Sequence, residues 1–336
     1  MPHIRVLVVD DSVLFREIMD RGLSSDPSIE VVAKAKDAFD ARDKILQYHP
    51  DVMTLDIEMP KMNGIEFLQK LMPQYPIPTV VISGTNMSVF DAIHVGAVDF
   101  VKKPERATDF SSADFIDEVI LKVKTAVMAK FQKTTPLKHC AINKEHEKNI
   151  SKKLIAIGAS TGGTVALTSL LASMDLPLPG IVVVQHIPPV FSDMFAKRLN
   201  SITHFSVKEA VSGDRIVPGQ VLIAPGSMHM QVKKRGSEYI VECFSGEKVN
   251  GHCPSVDVLF HSIAPLGASA IGVILTGMGH DGAKGLLEMR RAGARTVGQD
   301  EQTSVVYGMP KVAYNIGAVE RQLPIEKIGE TICSFI

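Results

Sequence analysis

Short runs of β-branched residues recur along this chain, each followed by a stretch whose apolar residues have helical spacing. The first run is IRVLVVD at 4–10, and others fall at 29–35, 52–56, 79–83 and 98–102. Near-continuous apolar runs of this kind suit strands buried on both faces, as in parallel sheets. Helix-period stretches at 12–24, 38–48, 64–72, 87–95 and 111–131 alternate with them. Five such β-α repeats predict a doubly wound, five-stranded parallel sheet over residues 1–131, with right-handed crossovers.

Residues 132–151 lie in a Lys-rich segment, QKTTPLKHCAINKEHEKNISKK, that has no apolar period and contains Pro136. It reads as a linker with little structure of its own. The alternation then restarts at 152–336, with LIAIGAS at 154–160, IVVVQH at 181–186, VLIAPG at 221–226 and AIGVILTG at 270–277. Helical patterns fall at 164–174, 191–199, 255–265, 281–292 and 304–316. Residues 205–244 alternate as short strands and turns. The fold class is therefore α/β throughout: a second α/β domain with a mostly parallel sheet and an antiparallel edge or hairpin.

The 336 residues are 45% hydrophobic, 22% charged and 6% aromatic, which is ordinary for a globular protein and excludes disorder as the dominant state. A formal net charge of -1 provides no chain-wide field toward nucleic acid or an anionic membrane. The apolar runs are far shorter than the roughly 20 residues that span a bilayer. The N-terminal Met1-Pro2-His3-Ile4-Arg5 carries no signal-peptide pattern. Cys140, Cys243, Cys253 and Cys333 form no Cys-x-x-Cys motif. Reduced thiols and a cytoplasmic location are expected.

Ligands of an open parallel sheet bind beyond the carboxyl ends of its strands. In the first half those ends carry Asp10-Asp11, Asp56, Ser83-Gly84 and Lys103-Pro104. Singly, each residue fits a helix cap or a solvated charge. Together, three carboxylates demand a cation, and a hard divalent ion such as Mg²⁺ fits oxygen ligands. One carboxylate can then attack phosphorus, with the metal and the Lys neutralising the phosphoryl oxygens.

On VLVVDDS at 6–12, VMTLDIEMPKMNGIEFL at 52–68, VVISG at 80–84 and GAVDFVKKP at 96–104, this half resembles the receiver domains of two-component response regulators. The resemblance implies a flavodoxin-like sheet with Asp56 accepting phosphate from a histidine kinase. It implies Mg²⁺ held by Asp10, Asp11, Asp56 and the carbonyl of Glu58. It also implies Lys103, not Lys102, as the phosphate contact, Ser83 and Phe100 as a switch pair, and a cis Lys103-Pro104 bond.

Gly158-Ala159-Ser160-Thr161-Gly162-Gly163 stands between a predicted strand and a predicted helix. The pattern fits a nucleophile elbow, Gly-x-Ser-x-Gly, whose helix N-terminus favours developing negative charge. Alone it fits a phosphate-cradling loop or a plain turn as well. Two further strand ends favour the nucleophile. His186 ends IVVVQH and Asp281 lies just beyond AIGVILTG. There His186 can take the Ser160 proton and Asp281 can hold the imidazole tautomer. Asp281 also fits a helix cap, and His280 beside it is a second-ranked base.

This half resembles the catalytic domain of chemotaxis protein-glutamate methylesterases of the CheB type. The matching stretches are IGASTGG at 157–163, VVQHIPPVF at 183–191, IAPG at 223–226, PSVDVLF at 254–260, VILTGMGHDGAKGL at 273–286 and VVYGMPKVA at 305–313. Ile187 stands where the family often has Met, and His280 where Asn is frequent. The resemblance implies Ser160 as nucleophile, His186 as base, Asp281 as orienter, and Thr161 with the backbone around Gly277 and Met278 as oxyanion donors. It implies hydrolysis of glutamyl γ-methyl esters on methyl-accepting chemotaxis receptors, deamidation of receptor glutamines, and no cofactor for the ester reaction. Activity is expected to be gated by the receiver, which in its unphosphorylated form would cover the cleft near Ser160. A monomer without nucleic-acid binding or membrane insertion is expected. The competing class is a response regulator whose second half binds nucleotide, phosphate or DNA without catalysis.

Overall fold

The computed structural model describes residues 3–84, 89–130, 150 and 153–336. The chain forms two compact units, Met1–Phe131 and Gln132–Ile336. The segment read as a linker lies, apart from residue 150, outside the described residues.

In the first unit five strands, β1 (Ile4–Val9), β2 (Ile29–Ala35), β3 (Val52–Leu55), β4 (Thr79–Ser83) and β5 (Asp99–Lys102), form one sheet in the order β2-β1-β3-β4-β5. Every pairing is parallel. Five helices connect them: α1 (Val13–Leu23), α2 (Ala38–Tyr48), α3 (Gly64–Leu71), α4 (Val89–His94) and α5 (Ala113–Val127). The helices follow because caps stand where the apolar period begins: the Ser12 Oγ accepts from Phe15 N–H, and the Asn63 side chain accepts from Glu66 N–H. Val6 to Val9 are buried, as strands covered on both faces require. The chain winds from β1 to β2 on one side and to β3 on the other, so the crevice between β1 and β3 is the switch point where such sheets bind ligands.

In the second unit seven strands pair in parallel in the order β14-β13-β12-β6-β7-β9-β8. They are β6 (Leu154–Ala159), β7 (Gly180–Gln185), β8 (Ser206–Glu209), β9 (Gln220–Ile223), β12 (Ala270–Ile274), β13 (Arg295–Gln299) and β14 (Arg321–Leu323). The antiparallel part is a separate hairpin, β10 (His229–Arg235) with β11 (Glu238–Phe244). Helices α6 (Gly163–Ala172), α7 (Phe191–Ile202), α8 (Val256–Ile263), α9 (Ala283–Arg291), α10 (Met309–Asn315) and α11 (Ile325–Ser334) complete the unit. The core between sheet, hairpin and helices includes Ala156, Val184, Leu222, Val241, Phe260 and Leu286.

No helix of the described residues is long and apolar enough to cross a membrane. Cys243 and Cys253 are free thiols, whereas Cys333 is disulfide-bonded. That corrects the expectation of reduced thiols throughout, since no spacing pattern in the sequence announces a pairing.

Candidate functional site

In the first unit, the carboxylate oxygens of Asp10, Asp11 and Asp56 lie within 4.8 Å of one another at the β1–β3 switch point. Lys103 Nζ bridges Asp10 Oδ2 and Asp56 Oδ2, at 2.5 Å to each, and stacks over the Phe15 ring at 4.4 Å. Burial, and after it the neighbouring Asp56 charge, push the Asp10 carboxyl up to about 6 against the opposing pull of Lys103. Burial would lower the Lys103 ammonium, but the charges of Asp56 and Asp10 outweigh it and raise it. Two of the three carboxylates therefore share one ammonium, and this acidic surplus in an oxygen-only donor set fits a hard divalent cation.

The close approach of α3 to this site needs Gly64, because a Cβ there would sit 2.3 Å from the Asp56 carbonyl oxygen. Glu58 N–H donates to Asp56 Oδ1 at 3.1 Å, which keeps Glu58 next to the acidic group. Ser83 is buried at the end of β4, with its carbonyl accepting Lys103 N–H at 2.9 Å. Phe100 is buried on β5, edge-on to Phe90 at 6.1 Å. Lys102 instead pairs with Glu105 at 3.2 Å, away from the aspartates. The Lys103-Pro104 peptide is trans, which corrects the expectation of a cis bond. Lys103 reaches both Asp10 and Asp56 with the peptide in that form.

In the second unit, sheet register sets the site. Ala159 of β6 pairs with Gln185 of β7, so Ser160 and His186 leave adjacent strands at the same level. His186 N–H continues the ladder to the Ala159 carbonyl at 3.1 Å, and Ser160 N–H bonds the Thr276 carbonyl beyond β12 at 3.0 Å. Gly162, at φ 77, then turns the chain into α6. Gln185 ties the corner together: its Nε2 donates to the carbonyls of Ser160 at 2.9 Å and His186 at 3.1 Å.

His186 Nε2 bonds Asp281 Oδ2 at 2.9 Å, and both side chains are nearly inaccessible. His186 Nδ1 is buried without a hydrogen-bond partner among the described residues. With Nε2–H donated to the carboxylate, Nδ1 is the ring atom left with a free lone pair. Asp281 also accepts from Asn250 Nδ2 (2.8 Å), Ser255 Oγ (2.7 Å), Val256 N–H (2.7 Å) and Asp257 N–H (3.2 Å). Burial alone would raise its carboxyl. The bond and charge of His186 and the bonds from Asn250 and Ser255 outweigh that and hold it well below the usual carboxylate range. This corner holds a hydroxyl, an imidazole and an ionised carboxylate, the groups that acyl transfer uses, with the imidazole bonded to the carboxylate and not to Ser160.

The expected oxyanion donors divide. Thr161 is buried next to Ser160, and Met278 is half-buried. Gly277 is corrected: its N–H is taken by the Val306 carbonyl at 3.0 Å, so it has no donor left for an oxyanion. Its contribution is the lack of a side chain, because a Cβ there would lie 2.6 Å from Ser160 Cβ. His280 is exposed, with its carbonyl capping the turn to Ala283, which does not favour it as the base.

Sequence reasoning missed the support around the pair. His252 stacks on His186 with ring centroids 3.7 Å apart and planes at 14°. His229, buried, accepts the Ser255 N–H at Nδ1 and reaches the Glu247 carbonyl with Nε2. The Asn250-Gly251 pair was the available signal, since that dipeptide marks a tight turn.

A CheB methylesterase family model matches residues 155–332, and a response regulator receiver domain model matches residues 6–113. A protein-glutamate methylesterase/protein-glutamine glutaminase 2 of Syntrophomonas wolfei is 54% identical over 335 residues, covering 99% of this chain and 98% of that one. Its counterpart in Salmonella typhimurium is 44% identical over 342 residues, covering 100% and 98%. The crystal structure of the Thermotoga maritima CheB methylesterase catalytic domain aligns with a TM-score of 0.54 at 36% identity, covering 56% of this chain and all of that one.

Proposed function

The chain belongs to the CheB methylesterase family and carries a response regulator receiver domain, and on that premise we propose that it is a phosphorylation-regulated protein-glutamate methylesterase of chemotaxis adaptation. Its substrates are glutamyl γ-methyl esters on methyl-accepting receptors. Receptor glutamines are deamidated by the same machinery, with ammonia leaving in place of methanol. It acts as a monomer in the cytoplasm.

Ser160 Oγ passes its proton to His186 Nδ1 as it attacks the γ-carbonyl carbon. His186 then gives that proton to the departing methanol, and water, deprotonated by the same nitrogen, releases the acyl group from Ser160. Asp281 holds Nε2–H throughout and offsets the imidazolium. Thr161, the backbone at Met278 and the start of α6 stabilise the oxyanion. The observation that carries this reading is the orientation of His186, with Asp281 on Nε2 and a buried Nδ1 unpartnered among the described residues, on the strand next to the one that ends at Ser160.

In the receiver, Asp56 is the phosphoryl acceptor from a histidine kinase. Mg²⁺ would be held by Asp10, Asp11, Asp56 and the Glu58 carbonyl, and when bound it supplies charge neutralisation for the phosphoryl oxygens. Lys103 contacts the phosphoryl group from the other side, and Ser83 and Phe100 respond to it. Without phosphate, the receiver holds the hydrolytic rate down.

Ser160→Ala should abolish methanol release from methylated receptor; retention of more than a tenth of the rate would overturn the assignment. Residues 150–336 alone should hydrolyse faster than the unphosphorylated full chain. An equal or slower rate removes that restraint while leaving the esterase reading intact.

A further inference from the structure

The turn between β11 and α8 has no part in the mechanism as stated. Val249 and His252 exchange two backbone hydrogen bonds, each 3.0 Å. Between them Asn250 (φ 53) and Gly251 (φ 84) are both left-handed, as in a type I′ turn, which favours Asn-Gly. The backbone thus fixes where the Asn250 amide points. Its Nδ2 gives one bond to Asp281 Oδ1 at 2.8 Å and one to Asp257 Oδ2 at 2.7 Å. Both carboxylates are almost fully buried.

Asp257 stands in the first turn of α8, with Oδ1 accepting Gly285 N–H at 2.7 Å. Asp281 stands just before α9. Two acids on neighbouring helix starts repel unless donors lie between them. The Asn250 amide has two N–H groups and spends one on each acid. Ser255 Oγ donates to the same Asp281 oxygen, and His229 steadies Ser255 from behind. From the other end of the turn, His252 covers the face of His186.

We propose that Asn250 is a positioning residue for the hydrolytic reaction: its amide holds Asp257 and Asp281 apart, keeps Asp281 Oδ2 on His186 Nε2, and so leaves Nδ1 as the nitrogen that takes the Ser160 proton. The turn that begins with Asn250 lays His252 on the same imidazole. This rests on the assignment of His186 and Asp281 made above.

The test uses the full chain, with methanol release from methylated receptor as the assay and thermal unfolding as the check on folding. Asn250→Asp keeps the size and the tolerance for left-handed backbone but replaces the donor with a third carboxyl. Asn250→Gly keeps the turn and removes the amide. Both should lower kcat by about 10²-fold, the scale expected of a small misplacement of reacting groups. KM should change by less than about threefold, as for a group that does not bind substrate.

The pH profile separates positioning from a structural role. The groups facing position 250 are Asp257, Asp281 and, through them, His186, Ser255, His229 and His252. Asn250→Asp should regain part of its rate as pH falls, because the introduced carboxyl, once protonated, donates again. The parent enzyme, with an amide at position 250, should show no such gain. If either folded variant keeps kcat within threefold of the parent, or if Asn250→Asp melts lower with an unchanged pH profile, the proposal fails. Ser160→Ala and Asp281→Asn run alongside: activity in those two would instead overturn the underlying mechanism.

Discussion

Replacing Asp281 with Asn changes almost no volume, so its effect reports hydrogen-bond direction and charge. The new amide has two orientations. With its nitrogen at the Oδ1 position it confronts Asn250 Nδ2, Ser255 Oγ and Asp257 N–H, all donors to that atom. With its nitrogen at the Oδ2 position it confronts Val256 N–H and His186 Nε2. The second loses fewer bonds, because the imidazole can respond by moving its proton to Nδ1 and accepting at Nε2. In that tautomer Nδ1 can no longer take a proton from Ser160. The expected loss in kcat is on the order of 10⁴-fold, the scale of a wrong-tautomer trap in a Ser-His-Asp triad. That corresponds to about 5.5 kcal/mol of barrier. Stability should fall less, by about 1–3 kcal/mol, because one buried donor, Val256 N–H, is left without its acceptor. Methanol release gives the first quantity and urea unfolding the second. A folded Asp281→Asn enzyme with kcat within tenfold of the parent would refute the proton assignment on His186.

Acid stability should report the same carboxylate. A carboxyl depressed in the folded state contributes stability that is complete above its unfolded pKa of about 3.9 and is lost as pH falls through the lower folded value. Stability measured by urea unfolding should therefore fall less steeply between pH 4 and 2 in Asp281→Asn than in the parent. Lys103→Ala removes the ammonium between Asp10 and Asp56, at a cost of about 3–5 kcal/mol to the receiver. Millimolar Mg²⁺ should recover part of the lost melting temperature, and an unchanged melting temperature would count against the pairing. Gly277→Ala would place its Cβ 2.6 Å from Ser160 Cβ and 2.5 Å from Met309 Sδ. It should cost about 1–3 kcal/mol from overpacking and depress kcat through the displaced Ser160.

The residues legible in the sequence were those at strand ends. Asp10, Asp56, Ser160 and His186 each follow a hydrophobic run, and the pairing of neighbouring parallel strands fixes which ends meet. Elements without such runs escaped. β13 carries Gly298 in its interior, and β14 has three residues, too few to show a period. The occupied N–H of Gly277 was equally hidden, because it depends on Val306, a residue of another segment. Asn250, Ser255 and Asp257 converge on Asp281 from a turn and a helix start, where periodicity says nothing about tertiary partners. The Asn250-Gly251 pair announced a turn but not what its side chain would touch.

Two aspartates beyond strand ends, one in each sheet, differ in donor count as their proposed roles, reactive for Asp56 and structural for Asp281, require. Asp281 is held by five donors, from His186, Asn250, Ser255, Val256 and Asp257, three of them on one oxygen. Its lone pairs are committed and its position is set from every side. Among the described residues, Asp56 accepts one backbone N–H, from Glu58, and one ammonium, from Lys103, which it shares with Asp10. An ammonium on a flexible stem can swing onto an incoming phosphoryl oxygen without breaking the backbone frame, and that frees an Asp56 lone pair for phosphorus. A carboxylate tied like Asp281 could not attack without first losing several buried bonds, each worth about 1–3 kcal/mol when left unmade. Burial alone does not distinguish the two, since both side chains are nearly inaccessible. The sparse bonding of Asp56 suits it to form a bond, and the dense bonding of Asp281 suits it to keep one.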